Sequence, residues 1–250
     1  MNDDTPAIAV DRLTLRFDQY VVQRDISFSV KRGEIFMIMG GSGCGKSTIL
    51  RAMIGLLQPA EGSIRYDGTE LWDQDEEGRA VLQRRFGVLF QSGALWSSMT
   101  LAENIALPLT QYTSLGRSEI SSIVSLKLAL VGLGGFEDYF PSEISGGMKK
   151  RAGLARAMAL DPSILFFDEP SAGLDPITSS QLDDLIIELS RSLGITFVVV
   201  THELPSIYKI SDRVVMLDKN TKSIIAEGKP DYLRDNSDNP WVRQFFKRES

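Results

Sequence analysis

The chain has 250 residues, 43% of them hydrophobic and 24% charged, a balance that supports one large buried core or two small ones. Its 27 basic and 33 acidic residues give a formal charge of −6, which argues against bulk electrostatic binding to nucleic acid. A single cysteine excludes an intrachain disulfide and fits a reducing compartment.

The start, MNDDTPAIAV, has no basic segment followed by an apolar core, so no signal peptide is expected. No apolar run reaches the ~20 residues of a membrane helix. These features predict a cytoplasmic protein that meets a membrane only through a partner.

In chain order, Ile8, Val10, Leu13, Leu15 and Phe17, then Ile26, Phe28 and Val30, alternate with polar residues as half-buried antiparallel strands do. A further strand is expected over 62–68, entering a turn at Asp67-Gly68. Four runs are apolar nearly throughout: EIFMIM (34–39), GVLF (87–90), SILFF (163–167) and ITFVVV (195–200). Such runs suit central strands of a parallel sheet covered on both faces. Helices are expected over 46–57, 118–132, 145–160 and 176–193.

The fold class is therefore α/β. Antiparallel β elements take about 6–32 and 60–72, and a parallel-sheet core takes about 33–58, 80–91 and 161–225. A mostly helical segment covers about 92–160, and a tail 226–250.

Each apolar run ends in a distinctive group: Gly40 onward, Gln91, Asp168-Glu169 and Thr201-His202. Ligands of open α/β sheets bind at the carboxyl ends of the strands, so these groups are predicted to converge. The first, GGSGCGKST, comprises Gly40, Gly41, Ser42, Gly43, Cys44, Gly45, Lys46, Ser47 and Thr48. From Gly40 to Ser47 it matches G-x-x-x-x-G-K-[ST], in which backbone N–H groups wrap phosphates, Lys46 reaches the terminal phosphates and Ser47 ligates Mg²⁺. Cys44 is either a small residue that fits this loop or a thiol made reactive by the helix end.

Among the other groups, Asp168 is placed to hold Mg²⁺ through water, and Glu169 to serve as general base or water positioner. His202, the only histidine, is placed to contact phosphate, and Gln91 to reach Mg²⁺ and the attacking water.

One stretch resists this pattern. SEISGGMKK (142–150) opens a helix with Ser-Gly-Gly and then sets Lys149, Lys150 and Arg151 close to the positive end of its dipole. An anion is expected there.

Together, GGSGCGKST, Gln91, ISGGM (144–148), ILFFDE (164–169), SAGLD (171–175) and His202 resemble, in order and spacing, the ATP-binding subunit of an ABC transporter over almost the whole chain. The resemblance implies a RecA-like core with an antiparallel β subdomain and an inserted helical subdomain, hydrolysing ATP with Mg²⁺. It implies a head-to-tail homodimer in which Ser145 and the Gly147 backbone cap ATP held by the partner, with Asp175 near the dimer interface. The lysines after them either touch that phosphate or raise the local potential. Phe17, or else Tyr20, would stack on adenine.

Met148 stands where the superfamily commonly has Gln. SGGM, LFQSGALWSSMTLAENIALPL (89–109), GLDPIT (173–178) and NPWVRQFF (239–246) look like the ATPases of Mla/Mce-type phospholipid transporters. That likeness implies an integral-membrane permease, an Mce-domain lipid-binding protein, a small accessory subunit, and a place on the cytoplasmic face of the inner membrane. The alternatives are another cargo, such as an amino acid or lipoprotein, or a soluble ABC ATPase.

Overall fold

A computed structural model describes residues 5–247. Residues 1–4 of the acidic start and 248–250 of the expected tail lie outside the described residues. Strands β1 (Ile8–Phe17) and β2 (Tyr20–Val30) form the antiparallel hairpin that the alternation predicts, with Ile26, Phe28 and Val30 turned inward. β3 (Ile35–Gly40) is buried along its whole length and leads into α1 (Lys46–Met53). β4 (Glu61–Tyr66) and β5 (Thr69–Glu70) pair across Asp67-Gly68, where both residues have positive φ (50° and 82°), the backbone of a tight hairpin turn.

Next come α2 (Glu76–Gln83), β6 (Phe86–Leu89), α3 (Leu101–Tyr112), α4 (Arg117–Leu130) and α5 (Gly146–Ala157). The chain then alternates through β7 (Ile164–Asp168), α6 (Pro176–Leu193), β8 (Thr196–Val200) and α7 (Leu204–Ile210). It closes with β9 (Arg213–Asp218), β10 (Ser223–Gly228), α8 (Pro230–Asn236) and α9 (Pro240–Lys247).

Two sheets result, with strand orders β2-β1-β4-β5 and β10-β9-β3-β8-β7-β6. In the second, every pairing is parallel except β9 with β10 at the edge. The pleat sorts its apolar strands between two cores. Ile35, Met37, Met39, Leu165, Phe167, Phe197 and Val199 face the side packed by α5, α6 and α7. Phe36, Ile38, Ile164, Phe166, Val198 and Val200 face the opposite side, with α1 and the antiparallel sheet. Two-sided burial is why these strands carry almost no polar residue.

Some boundaries differ from the sequence expectation. The helix expected over 46–57 stops at Met53, because Gly55 takes a left-handed φ of 79° and the Leu56 amide returns to the Arg51 carbonyl (2.8 Å). Ser145 is the N-cap of α5 rather than its first helical residue. The expected start of the tail at 226 falls inside β10.

At the sheet edge, Gly87 of β6 lies directly against the carbonyl of Ala157 at the end of α5, leaving no room for a Cβ. Gly87→Ala must push backbone apart, and we expect a loss of about 1–3 kcal/mol. A lower Tm in thermal unfolding checks this.

Candidate active site

A cavity of about 700 Å³ opens at the carboxyl end of β3. Its walls include Gly40–Gly43 and Gly45–Thr48, together with Glu169, His202, Phe17 and Tyr20. The groups at the ends of β3, β7 and β8 therefore converge, though they are far apart in sequence. The parallel register explains it: Gly40 is two residues past the Ile38–Val200 pair, and Asp168 is itself paired with Val200.

The loop places a cation in the cavity. Lys46 Nζ donates to the carbonyls of Gly40 (3.0 Å) and Gly41 (3.4 Å). Behind the loop, the fully buried Gln23 donates to the Cys44 carbonyl (2.7 Å) and the Asp218 carbonyl (3.2 Å). Sequence reading did not single out Gln23; a polar residue at an inward position of β2 was the available signal. Of the two alternatives for Cys44, the packing favours the small residue that fits the loop. Its side chain is buried in the core below the loop, and burial pushes the thiol pKa up, which removes the reactive-thiol alternative.

Ser47 Oγ donates to Asp168 Oδ1 (3.0 Å). A hydroxyl and one carboxylate are a sparse hard-oxygen set. They fit Mg²⁺, which fills its remaining positions with phosphate oxygens and water. Among the described residues no cluster of three or more His, Cys, Asp or Glu could hold a metal alone.

Glu169 extends the β7–β8 pairing, its amide donating to the Val200 carbonyl (2.8 Å). Its φ is 49°, a left-handed conformation that is costly for a residue with a Cβ and that clusters at functional sites. The side chain is 14% exposed, and Oε1 lies 2.8 Å from His202 Nδ1. The other oxygen, Oε2, is buried without a hydrogen-bond partner. Such an orphan calls for a water or ligand donor.

Phe17 and Tyr20 both line the cavity, at the turn of the β1–β2 hairpin, and Lys222 Nζ sits over the Tyr20 ring at 4.7 Å from its centroid. Gln91 is not brought in. It is exposed, does not line the cavity, and its carbonyl accepts from Lys150 Nζ.

Ser145, Gly147 and Asp175 also lie outside the cavity and form a second cluster. Ser145 Oγ caps α5 by accepting from the Met148 amide (3.2 Å). Asp175 caps α6, accepting from the amides of Ile177 and Thr178 (both 3.0 Å) and from the Thr178 hydroxyl (2.5 Å). Those bonds, the Thr178 hydroxyl first, hold its pKa below the ordinary value. The Thr178 methyl fills the space a Cβ on Gly147 would need, so the two helix starts are packed together.

The basic run behind Ser-Gly-Gly is turned inward at Lys150, which is only 5% exposed. Burial lowers its pKa, opposed by the charges of Asp168 and Glu169. One turn on, Gly153 has no room for a Cβ against Gly93 and Leu89, and Arg156 donates to the Ala94 (2.6 Å) and Gly93 (3.2 Å) carbonyls. One face of α5 therefore grips the segment following Gln91. The burial of Lys150 and the part played by Arg156 went unread in the sequence, because helical spacing alone does not say which basic residue is buried.

A model of the ABC transporter family matches residues 23–172. The chain belongs to the ABC transporter family. A Mycobacterium tuberculosis relative, "Probable ribonucleotide transport ATP-binding protein mkl", is 44% identical over 240 residues, covering 96% of this chain and 66% of its own length. This cassette thus spans just under two thirds of that relative. The "Intermembrane phospholipid transport system ATP-binding protein MlaF" of Escherichia coli K12 is also 44% identical, over 222 residues (89% of this chain, 81% of the relative). Among solved structures, the dimeric post-hydrolysis state of the ATP-binding cassette MJ0796 with ADP and Pi superimposes with a TM-score of 0.80 at 28% identity, covering 89% of this chain and 98% of that one. CbiO1 of Clostridium perfringens, part of the complex cbiONQ, gives 0.86 at 28% identity, covering 98% and 96%. The cassette accordingly has the RecA-like parallel core with an antiparallel β subdomain.

Behind the catalytic edge, Ser206 of α7 donates to Asp183 Oδ2 of α6 (2.9 Å), joining the helix that starts at Asp175 to the one that follows His202. Burial lifts the Asp183 pKa to about 6. The folded state therefore holds this proton more tightly than the unfolded chain. Its contribution to stability is fully present below the ordinary carboxylate pKa and is lost as pH rises through about 6. Asp183→Asn, which keeps an acceptor for Ser206, should raise Tm at pH 7.5. Thermal melts from pH 7.5 to pH 4.5 should show that advantage shrinking.

Proposed function

We propose that this cassette is the ATP-hydrolysing subunit of a membrane transporter that moves phospholipid. The observation that carries the cargo is the 44% identity with MlaF over 222 residues. The chemistry rests on the converged groups. Lys46 and the loop amides hold the ATP phosphates, and Ser47 and Asp168 hold Mg²⁺, which neutralises phosphate charge. Glu169 Oε2 accepts a hydrogen bond from the attacking water and draws its proton as the γ-phosphate bond breaks. His202 fixes the other carboxylate oxygen and contacts the γ-phosphate.

One chain holds the cradle and the Ser145 cap in separate places, so the site is completed by a second copy in head-to-tail contact. Capped by Ser145, α5 presents N–H groups and the positive end of its dipole to an anion. Ile177, 73% exposed beside Asp175, gives this face an apolar contact for the partner. The buried Lys150 supports the cap from within rather than touching phosphate.

A groove of about 360 Å³ between α2, β6, α3 and α5, with Arg84, Pro108, Tyr112 and Arg156 among its walls, suits a cytoplasmic helix of a permease. The Gly93–Ala94 segment gripped by α5 lies beside it. On this reading the protein sits on the cytoplasmic face of the inner membrane, with an Mce-domain lipid-binding protein and a small accessory subunit as further partners. Among the described residues no helix is long and apolar enough to cross a membrane. The equal identity to mkl, whose name states ribonucleotide transport, favours a second reading in which only the cargo differs.

Purification in mild detergent, with mass spectrometry of proteins and lipids, separates the two readings. Phospholipid and an Mce-domain protein accompanying the permease support the first. A permease recovered without them supports the second. In the same complex Glu169→Gln should cut ATP turnover by roughly 10²-fold or more while ATP still binds. Unchanged turnover would remove Glu169 from the mechanism.

A further inference from the structure

The last helix, α9, is anchored on one side and free to serve the nucleotide cavity on another. Val242 and Phe246 are buried, and the Tyr208 hydroxyl of α7 donates to the Phe246 carbonyl (3.0 Å). The Tyr208 and Phe246 rings meet edge to face at 5.9 Å. Arg243 ties the helix back to the Ser237 carbonyl. Because α7 begins just after His202, this anchoring fixes α9 to the catalytic edge of the sheet.

Trp241 and Phe245, one turn apart, form a second stripe with ring centroids 5.9 Å from each other. Trp241 lines a cavity with Gly41 and Ser42 of the phosphate loop. Phe245 lines the nucleotide cavity itself, together with the loop, Glu169 and His202. An aromatic ring that shares a cavity with Lys46 cannot pair with phosphate. It can contact the nonionic part of a nucleotide and keep water away, which strengthens the charge interactions beside it.

We propose that Phe245 is a nucleotide-binding residue, an apolar wall brought to the ATP cavity from the far end of the chain by α9. Nucleotide and α9 then stabilise each other, since a ligand favours the arrangement that contacts it. The proposal rests on the reading of this cavity as the ATP site, and deepens it.

The test uses the full chain, a fluorescent ADP analogue with Mg²⁺, and hydrogen exchange of the 240–247 amides with and without MgADP. We expect Phe245→Ala to weaken binding by roughly fivefold, the scale of a truncated aromatic contact, in a variant that still folds although it loses the ring's packing on Phe246. We also expect the parent's α9 amides to gain protection with MgADP. The proposal requires both. A Kd change below threefold, or α9 exchange indifferent to nucleotide, overturns it. If Phe245→Ala fails to fold, the parent's exchange result decides alone. A parent that does not bind the analogue would sink the reading of the cavity instead.

Discussion

The constraint on which the rest of the structure depends is the parallel pairing of β3, β8 and β7. Those backbone bonds set Gly40, Asp168 and the residue after Val200 at one edge of the sheet. Everything the chemistry uses in one chain follows from that edge. Lys46 leaves it through a five-residue loop, Asp168 meets Ser47 across it, and Glu169 turns off it into a left-handed conformation that leaves one buried oxygen in want of a donor. Burial on both faces makes the register hard to slip, because a one-residue shift would exchange the two apolar faces.

A second constraint acts at the edge strand. Gly87 and Gly153 remove side chains where β6 and the loop after it meet α5, and Lys150 and Arg156 use the closeness to bind three carbonyls of that loop. Helix α5 and the segment following Gln91 are thus held together as one packed unit. Desolvating two cations is costly unless their hydrogen bonds are made. Arg156 bonds two carbonyls of the loop, and Lys150 bonds one carbonyl and feels Asp168 and Glu169.

Much of this was legible in the sequence because it is local. The strand runs 34–39 and 195–200 announced two-faced burial, GGSGCGKST announced its own turn, and the two carboxylates followed a buried strand directly. What was not legible depends on packing between distant segments. Nothing in SGGMKK says that Lys150 turns inward while Ser145 turns outward, and nothing in FQSG says that the Gln91 carbonyl rather than its side chain would be engaged. The weak alternation of 213–228 hid β9 and β10, and Cys44 read as loop although its side chain belongs to the core beneath. Phe245 lies about two hundred residues from the loop it neighbours, beyond the reach of any local pattern.

The central claim is that a complete site needs the cradle of one copy and the Ser145 helix of another. Lys46→Ala breaks the cradle and Ser145→Arg breaks the cap. A mixed dimer keeps one intact pairing if the cap acts in trans and none if it acts in cis. ATP-dependent dimerisation of the two variants, alone and mixed, measures this directly. Neither variant should dimerise well alone, and the mixture should recover dimers with nucleotide bound at one site. A mixture no better than its parts would contradict it.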